Sequence, residues 1–588
     1  MSQCGTGSKD SIDRRRVLQG LGAAVTAGLA GCIGDDDLDD HERVPTLTLE
    51  YWAGRGGVTS TMESTAPVVQ DACEELGIDL EIEPTEFITQ IGNNSEDLRT
   101  HEIMYWQFAP GPDRLDPHEM CQRFALDWAG GNGHHSNGNY ANCEVSEAAW
   151  AQASAQSLEE REALVNECHG KLSEDYQPIP IAPRVGYAGY RTDEVDLQGV
   201  GEAGIIRVNS NVYIKSEPIN GDEIIAYTSP EMLETSNYPV IDSSQSQGPW
   251  NNIINSPLVG YDENYDLTTI LADEYDVSDD GEQVTVQLRD ATFHNGDPIT
   301  AEDVQFTFQQ LADNAGIYAQ ADPAPYESID VVDERTVEFN LEEPFLPLIT
   351  RVWPRWGIMH EETWVEGGAV EDPEGFEMDP IVGSGPFQVE TFDRGTLVHL
   401  EPHDGHPVFD PDHDLIFVGY GEEQALFQAF RANEVHMVSD LSPGIFERID
   451  EEVDDGEALA TQYFLPFSLF PQYPVAPMKF RPVRHAIGKA LDRQRMNQLG
   501  FFGESEPELA STVLMKSHPW RPPEDQLATF TDDPTGDPDG AREVLEEAGF
   551  VWDDDDNLHY PEDADLEPLW PEGEEPSVDD FPCLEGRV

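Results

Sequence analysis

An alternating strand pair that leads into a capped helix, between residues 271 and 311, constrains the fold of this chain most. Val284, Val286 and Leu288 alternate with polar residues, and the turn Asp280-Gly281 precedes them. Alternation at a period of two predicts a half-buried strand, and an Asp-Gly turn joins such strands. Thr300-Ala301-Glu302-Asp303 predicts a helix start, because a Thr cap and early acids suit the positive end of a helix. The buried face of this predicted helix comprises Val304, Phe308 and Leu311.

Length and composition predict a folded chain of several lobes. At 588 residues the chain is several times a typical domain length, so we expect two or three lobes with their own cores. Aromatic residues make up 9% and hydrophobic residues 38%. Disordered acidic chains are poor in both, so the protein should be folded.

The charge excludes nucleic acid as a partner. Asp and Glu number 117 against 32 Lys and Arg, the net charge is −85, and the longest basic run is Arg14-Arg15-Arg16. A phosphate backbone needs basic patches, which this chain lacks. The acidity and the scarcity of lysine resemble proteins of extreme halophiles, where molar salt shortens the Debye length to about 3 Å. We therefore expect the fold to need high salt.

The first residues predict export and a lipid anchor. Arg14-Arg15-Arg16 precedes an apolar run from Leu18 to Ala30, which is shorter than the roughly 20 residues of a membrane span and typical of a signal peptide. The paired arginines resemble the twin-arginine signal, and Leu29-Ala30-Gly31-Cys32 resembles a lipobox. We predict a signal over residues 1–32, a lipid on Cys32 at the extracytoplasmic face of the cell membrane, and an acidic tether over 33–44. A short buried helix is the alternative.

Three motifs, in order, carry a resemblance to a known family. They are residues 271–304, with Phe293-His294-Asn295-Gly296; Val382-Gly383-Ser384-Gly385-Pro386-Phe387; and Phe480-Arg481-Pro482-Val483-Arg484-His485. Together they resemble the extracytoplasmic solute-binding proteins of peptide/nickel ABC importers. The resemblance implies an α/β, two-lobed periplasmic-binding-protein-like fold with an additional third domain. It also implies a binding protein without a cofactor, whose partners are an importer permease and ATPase.

The order of the segments is rotated relative to that family. Residues 541–550 resemble a family helix that ordinarily precedes another lobe segment, whereas the matching strand 46–52, helix 68–76 and strand 78–82 stand at the front. The helix 157–172 and residues 175–181 resemble a C-terminal family segment, yet they precede the family's N-terminal one. The resemblance therefore predicts a circular permutation, with the old ends joined near 201–221 and new ends opened in a hairpin between Asp556 and Pro45. A fusion of two truncated proteins and a mis-assembled gene are the alternatives.

The rotated order divides the chain into three interleaved domains. Domain III comprises 45–176 plus 472–588, domain I comprises 177–265 plus 381–471, and domain II comprises 266–380. Chain ends tolerate such relocation where they are close together and exposed.

The resemblance implies a ligand site between the lobes. In peptide-binding relatives, an Asp four residues before the Pro of Leu115-Asp116-Pro117 receives the ligand ammonium group, which corresponds to Asp113 here. A carboxylate buried by closure rejects ligands without a positive charge to pair with it. Arg114 is the alternative partner of the Asp113 carboxylate. Further candidates are Tyr105, Trp106, Phe108, Asp242 and Gly385. A buried strand end is the alternative for the aromatic residues, and a sugar or nickel complex is the alternative to a peptide ligand.

The cysteines suggest a disulfide, and the histidines do not form a metal site. Cys121 and Cys143 flank a glycine-rich loop, and the resemblance implies a disulfide there, with Cys168 as a rival partner. Cys73 and Cys583 are expected to stay reduced. His134-His135 lacks ligands at metal spacing, so we predict no metal site. Nucleophile-elbow, phosphate-loop and zinc-protease motifs are absent from the sequence. A glycosidase needs only a pair of carboxylates, so a secreted hydrolase such as a glycosidase is one alternative function. A cell-surface structural protein is the other.

Overall fold

A computed structural model describes residues 41–54, 57–205, 209–241, 248–318 and 324–587. The predicted signal with Cys32, most of the tether, and Asp242 lie outside the described residues. None of the helices in these ranges is long and apolar enough to cross a membrane.

The described residues alternate between strands and helices. The strands are β1 (Leu47–Ala53), β2 (Leu80–Glu86), β3 (Ile103–Gln107), β4 (Ile179–Arg191), β5 (Val195–Asp196), β6 (Glu217–Pro218), β7 (Glu223–Thr228), β8 (Val259–Tyr261), β9 (Leu267–Thr269), β10 (Ala272–Val277), β11 (Gln283–Leu288), β12 (Tyr326–Asp333), β13 (Thr336–Leu341), β14 (Phe387–Asp393), β15 (Leu397–Pro402), β16 (Asp414–Gly419), β17 (Met437–Val438), β18 (Gly456–Pro471), β19 (Val551–Trp552) and β20 (Leu558–His559). The helices are α1 (Gly57–Glu75), α2 (Phe87–Ser95), α3 (His118–Gln122), α4 (Cys143–Ala153), α5 (Leu158–Glu174), α6 (Ser210–Lys215), α7 (Ala301–Asp313), α8 (Trp353–Arg355), α9 (Glu361–Glu366), α10 (Glu423–Arg431), α11 (Pro443–Glu452), α12 (Arg481–Ala490), α13 (Arg493–Gly500) and α14 (Pro538–Glu547).

One ten-stranded sheet runs through two lobes, in the order β14-β15-β16-β7-β17-β4-β18-β3-β1-β2. Its centre is the antiparallel pair β4 and β18, of 13 and 16 residues. The first half of β18 pairs with residues 185–191 of β4, the second half pairs with residues 179–183, and the register shifts between Gln462 and Pro466. The two long strands therefore pass from the lobe of β1–β3 into the lobe of β7 and β14–β17.

The third unit is built around the hairpin and capped helix of residues 271–311. Its four-stranded sheet has the order β10-β11-β13-β12. Thr300 and Asp303 form a reciprocal capping box at the start of α7, so the predicted hairpin and capped helix are confirmed. The apolar residues predicted for the buried faces, Val284, Val286, Leu288, Val304, Phe308 and Leu311, are all buried.

The front and the back of the chain meet in one lobe. The predicted strand, helix and strand near the front are confirmed as β1, α1 and β2, with α1 longer than predicted. Segment 42–44 runs antiparallel to residues 558–560: Val44 N–H donates to the Leu558 carbonyl and Tyr560 N–H donates to the Glu42 carbonyl, both at 2.8 Å. A single hydrophobic core contains residues of β1 and α1 together with Leu545 and Leu558.

The disulfide differs from our prediction. Cys143, the first residue of α4, bonds Cys583, whereas Cys121 is a free thiol in the core of the lobe. The predicted Cys121–Cys143 bridge is wrong, because Cys143 bonds Cys583 instead. The Cys121 sulfur is buried and lies 3.6 Å from His169 Nε2. Cys583, expected to stay reduced, is the true partner, and Cys73 is free as predicted.

Candidate functional site

A cavity of about 690 Å³ lies between the two lobes that share the large sheet. Its floor is formed by residues 184–187 of β4 and by Phe467 of β18. One wall comes from the lobe of β1–β3, including α1, α2 and the loop after β3, and the other comes from residues around the start of α10 and α11. The crossing strands thus place the cavity between the two lobes, with residues of both in its walls.

An aromatic cluster forms the wall beside β1 and β3. The rings of Trp52 and Trp106 lie 4.4 Å apart and nearly perpendicular, and Phe87 lies 4.7 Å from Trp52. His135 lies 4.3 Å from Trp106 on the other side. These rings give the wall an aromatic surface, of the kind that buries ligand side chains.

Two arginines on the same wall share one buried carboxylate. Arg114 Nε donates to Glu119 Oε2 at 3.1 Å, and Arg123 Nε donates to Glu119 Oε1 at 2.8 Å. Burial by itself would raise the pKa of Glu119, but the charges of Arg114, Arg123 and Arg351 outweigh it and hold that pKa well below its usual range. Because one carboxylate serves two guanidinium groups, the wall keeps positive charge.

A third arginine, Arg184, lies on the floor of the cavity. Arg184 of β4 donates from Nη1 to Gln107 Oε1 at 3.2 Å, and its guanidinium lies 5.3 Å from the centre of the Tyr463 ring. Gly186 permits this arrangement, since a Cβ there would lie 2.5 Å from the Tyr463 hydroxyl oxygen. In the described part of the chain, no carboxylate forms an ion pair with Arg184.

The opposite wall is acidic. Glu423, in the first turn of α10, accepts hydrogen bonds from the backbone and the hydroxyl of Ser442. Asp440 lines the cavity with a φ of 56°, in the left-handed region that non-glycine residues rarely adopt. The cavity therefore presents positive groups on one side and carboxylates on the other.

The structure distributes the predicted site residues between the cavity and the protein interior. Trp106 lines the cavity, whereas Tyr105 is buried with its hydroxyl 2.8 Å from Thr65 Oγ1, which matches the buried-strand alternative. Phe108 is also buried, with its ring 5.9 Å from that of Phe470.

Asp113 lies outside the residues that line the cavity. It stands in a 3-10 turn, Pro112–Arg114, is buried, and accepts a hydrogen bond from Arg355 Nη1 of α8 at 3.1 Å. Arg114, the alternative partner considered from sequence, pairs with Glu119 instead. In this structure the Asp113 carboxylate is held by an arginine of the third unit.

Gly385 is a packing position of the first lobe. Its N–H donates to the Ile254 carbonyl at 2.8 Å, and a Cβ there would lie 2.2 Å from the Ile253 carbonyl oxygen. It does not line the cavity. Its glycine is explained by this close approach of two backbone segments.

Sequence reasoning missed several lining residues. Trp52, Arg123, Arg184 and His135 come from four separate segments, and His135 was considered only as a metal ligand. The available signal was the scarcity of basic residues: in so acidic a chain, each arginine marks a place where a positive charge is needed.

One group among the described residues could offer metal ligands. Asp297, His360 and Glu362 have ligand atoms within 4.8 Å of one another. However, His360 Nδ1 accepts from Thr363 N–H, so its proton lies on Nε2, which faces Asp297 at 3.4 Å. The His360 side chain therefore caps the start of α9.

Comparison with known proteins gives the family. The family described as bacterial extracellular solute-binding proteins, family 5, middle region, matches residues 266–579. The probable D,D-dipeptide-binding periplasmic protein DdpA of Escherichia coli is 27% identical over 237 residues, 39% of this chain and 45% of that protein. The glutathione-binding protein GsiB of Pectobacterium atrosepticum is 24% identical over 311 residues, 50% of this chain and 55% of that protein. The chain spans about half the length of these curated relatives.

Solved structures of low similarity include binding proteins as well. The oligopeptide-binding protein AppA from Bacillus subtilis, in complex with a nonapeptide, is 18% identical, with 59% of this chain and 67% of that chain covered and a TM-score of 0.41. NikA from Brucella suis, in complex with Fe(III)-EDTA, is 19% identical, with 59% and 68% covered and a TM-score of 0.42. The family match alone spans more than half of the chain. This protein therefore belongs to bacterial extracellular solute-binding protein family 5, a family of binding proteins and not of enzymes.

Proposed function

We propose that this protein binds a peptide in the cavity between its two lobes and delivers it to the permease and ATPase of an ABC importer. The observation that carries the proposal is the cavity itself, about 690 Å³ in volume, with an aromatic wall and charges of both signs. A peptide offers side chains to the aromatic wall and opposite charges to the two polar walls. The names of the relatives DdpA and GsiB, which specify a dipeptide and glutathione, support a peptide-like ligand.

Hinge closure over the ligand is part of the proposal. The two lobes share β4 and β18, and the pairing of these strands is interrupted between Gln462 and Pro466. Pro466 has no backbone N–H to donate to the ladder, so this irregularity favours bending of the sheet here. Closure there would bring the acidic wall toward the aromatic wall, as in other two-lobed binding proteins.

The experiment is thermal unfolding in molar KCl with defined mixtures of tri- to pentapeptides. A ligand at a hundred times its dissociation constant adds about 2.7 kcal/mol to the free energy of unfolding. Trp106→Ala should remove the stabilisation because it breaks the aromatic wall. Trp128→Ala, which removes a half-buried tryptophan outside the cavity, should retain it.

Two outcomes would count against peptide binding. If none of the peptides stabilises the wild-type protein, peptide binding is refuted. Equal stabilisation of the wild type and of Trp106→Ala would place the peptide outside this cavity.

The proposal includes export and a lipid on Cys32, which rest on the sequence motif. Cys32→Ser should release the protein into the medium, whereas membrane fractionation that persists would contradict a lipid anchor. Cys73→Ser, at a buried thiol, is the control for loss of a cysteine.

The rotated segment order is proposed to be a circular permutation. The antiparallel pairing of 42–44 with 558–560 supports it, since these two segments form the sides of a hairpin whose loop is open. Limited proteolysis should leave one core that contains both terminal segments. Two halves that survive separately would favour a fusion.

A further inference from the structure

Residues 570–584, which we call the strap, lie on a loop that reaches the cavity. The loop comprises residues 129–139, and its His135 lines the cavity. A small hydrophobic core, separate from the main core of the lobe, joins the two segments and consists of Leu126, Ala129, Ala141, Trp570 and Leu584. Both ends of the strap therefore pack beside the loop.

The backbones of the strap and the loop touch at two glycines. Gly131 N–H donates to the Glu574 carbonyl at 3.2 Å. A Cβ at Gly130 would lie 2.5 Å from the Glu574 carbonyl oxygen, and a Cβ at Gly131 would lie 2.5 Å from the Gly573 carbonyl oxygen. Because only glycine permits so close an approach, these two positions of the loop fit the strap that lies on them.

A buried carboxylate ties the strap to both ends of the loop. Asp97 accepts hydrogen bonds from Trp570 Nε1 at 3.0 Å and from Asn139 Nδ2 at 2.8 Å. Arg99 pairs with Asp97 at 2.9 Å and also donates to the Trp570 carbonyl at 2.8 Å. Asn139 in turn accepts from Gly130 N–H at 3.0 Å. One carboxylate thus fixes Trp570 together with the first and last residues of the loop.

The disulfide fastens the other end of the strap. Cys143, at the start of α4 just after the loop, bonds Cys583. The remaining cysteines of the described residues, Cys73, Cys121 and Cys168, are free thiols. Within the described part of the chain, a reductant therefore acts on the strap alone.

His135 is held in the cavity wall by residues outside the strap. Arg123 Nη1 contacts His135 Nδ1 and donates to the His135 carbonyl at 3.1 Å. The imidazole ring lies 4.3 Å from the ring of Trp106. Asn137 N–H donates to the Arg123 carbonyl at 2.9 Å. The strap makes none of these contacts, so it acts on His135 through the loop.

We propose that the strap positions the binding site: it holds the loop 129–139 in place, and opening the Cys143–Cys583 bond lowers the affinity for the ligand without unfolding the lobe. The inference rests on the proposed function and adds a control on the same site. Trp570, which lies outside the residues that line the cavity, is the positioning residue of the strap. The lobe stays folded because its main core is a separate cluster.

The first test is amide hydrogen exchange by mass spectrometry on the full chain in molar KCl, with and without a dithiol reductant. The dithiol gives two electrons and two protons to the disulfide and becomes a cyclic disulfide, which leaves Cys143 and Cys583 as thiols. The amides of Gly133 and Asn137, which donate to Ser95 and Arg123 outside the strap, should then exchange about 10-fold faster or more. The amides of β4 should keep their rates. Unchanged exchange in the loop would overturn the proposal.

The second test measures affinity by calorimetry, with the peptide that most stabilises the wild type in the thermal unfolding screen. The dissociation constant should rise at least about fivefold on reduction, because the apparent constant increases as the fraction of molecules with the loop in place falls. The affinity of Cys583→Ser should not respond to the reductant, since the bond is already absent.

A variant of Trp570 tests the same link without reduction. Trp570→Phe keeps the ring and removes only the N–H that Asp97 accepts, so it stays informative if the reduced protein unfolds. It should speed exchange in the loop and raise the dissociation constant about threefold or more. Trp364→Phe, at a buried tryptophan of the third unit, is the matched control and should bind the peptide as the wild type does.

The outcomes separate the strap from peptide binding. A dissociation constant within twofold of the oxidised wild type, after reduction and in Trp570→Phe, would overturn the positioning role and leave peptide binding intact. An equal loss of affinity in Trp364→Phe would assign the effect to lower stability and also overturn it. If no peptide binds the wild type, the proposed function is refuted; faster exchange in the loop on reduction would still support the hold of the strap on the loop.

Discussion

Asp116 and Arg161 form a fully buried ion pair in the lobe of β1–β3, where that lobe contacts Thr350 of the third unit. Arg161 Nη1 and Nη2 donate to the two carboxylate oxygens at 2.7 Å each. The carboxylate also accepts from His118 N–H at 2.8 Å and from the hydroxyl of Thr350, in the helical turn Leu348–Val352. We predict that Asp116→Asn lowers the free energy of unfolding by about 3–5 kcal/mol, the range for leaving one partner of a buried pair uncompensated.

The pH dependence gives a separate and smaller figure, for protonating the Asp116 carboxylate rather than replacing it. Burial raises the pKa of Asp116, but the charge of Arg161 outweighs it and lowers the pKa from 3.8 to about 2. A depressed carboxyl pKa stabilises the fold above the unfolded-state value, and the contribution is lost as the pH falls through the folded value. At 1.36 kcal/mol per pKa unit this contributes about 2 kcal/mol at pH 7 and about half of that at pH 3.

The assay is urea unfolding at fixed molar salt, followed by tryptophan fluorescence, for the wild type, Asp116→Asn, Arg161→Gln and the double variant. The double variant should lose less than the sum of the single losses, because each single change leaves the other partner buried alone. Asp525→Asn removes one negative charge at an exposed site and is the control. A loss below about 1 kcal/mol for Asp116→Asn at pH 7, or a loss as large at pH 3 as at pH 7, would refute this reasoning.

Three further predictions concern the disulfide, the acidic turn and the solvent. Cys143→Ser or Cys583→Ser should lower the free energy of unfolding by about 2–5 kcal/mol, with no additional effect of reductant; a further loss on reduction would show that another disulfide is present. Asp113→Asn should destabilise the fold, because it removes the charge of a buried carboxylate that pairs with Arg355, and should change the peptide dissociation constant less than about threefold by calorimetry; a tenfold loss of affinity would instead assign the ligand ammonium group to Asp113. Far-UV circular dichroism should show loss of structure on transfer from molar to millimolar salt, and an unchanged spectrum would contradict the halophilic interpretation.

Local signals in the sequence were sufficient for the elements they encode. The alternation of residues 284–288 and the cap of Thr300 on Asp303 depend on neighbours within a few positions, and both are present as predicted. Trp106 was assigned to the cavity through the resemblance, and it lines the cavity. In each case the information lies in one short segment.

Pairings between distant segments could not be derived in this way. Cys143 and Cys583 are separated by 440 positions, so loop composition around Cys143 gave no indication of its partner. Asp113 and Arg355 are 242 positions apart, and counting back from a proline located the acid without revealing the arginine that holds it. Trp52, Arg123, His135 and Arg184 lie on separate segments, and they line one cavity only when the chain is folded.

The geometry of the hinge explains how a rotated segment order is compatible with the proposed function. The proposed closure would bend β4 and β18, each of which is an uninterrupted segment of this chain. The open hairpin of 42–44 and 558–560 instead lies within one lobe, whose core joins both terminal segments. Relocating the ends to that hairpin leaves the crossing strands and the cavity floor unbroken, so it need not alter the motion of the lobes. A permutation would change which lobe is tethered: a lipid on Cys32 would hold the lobe that carries Trp52, Trp106 and His135, and the lobe with Glu423 and Asp440 would be the one free to move.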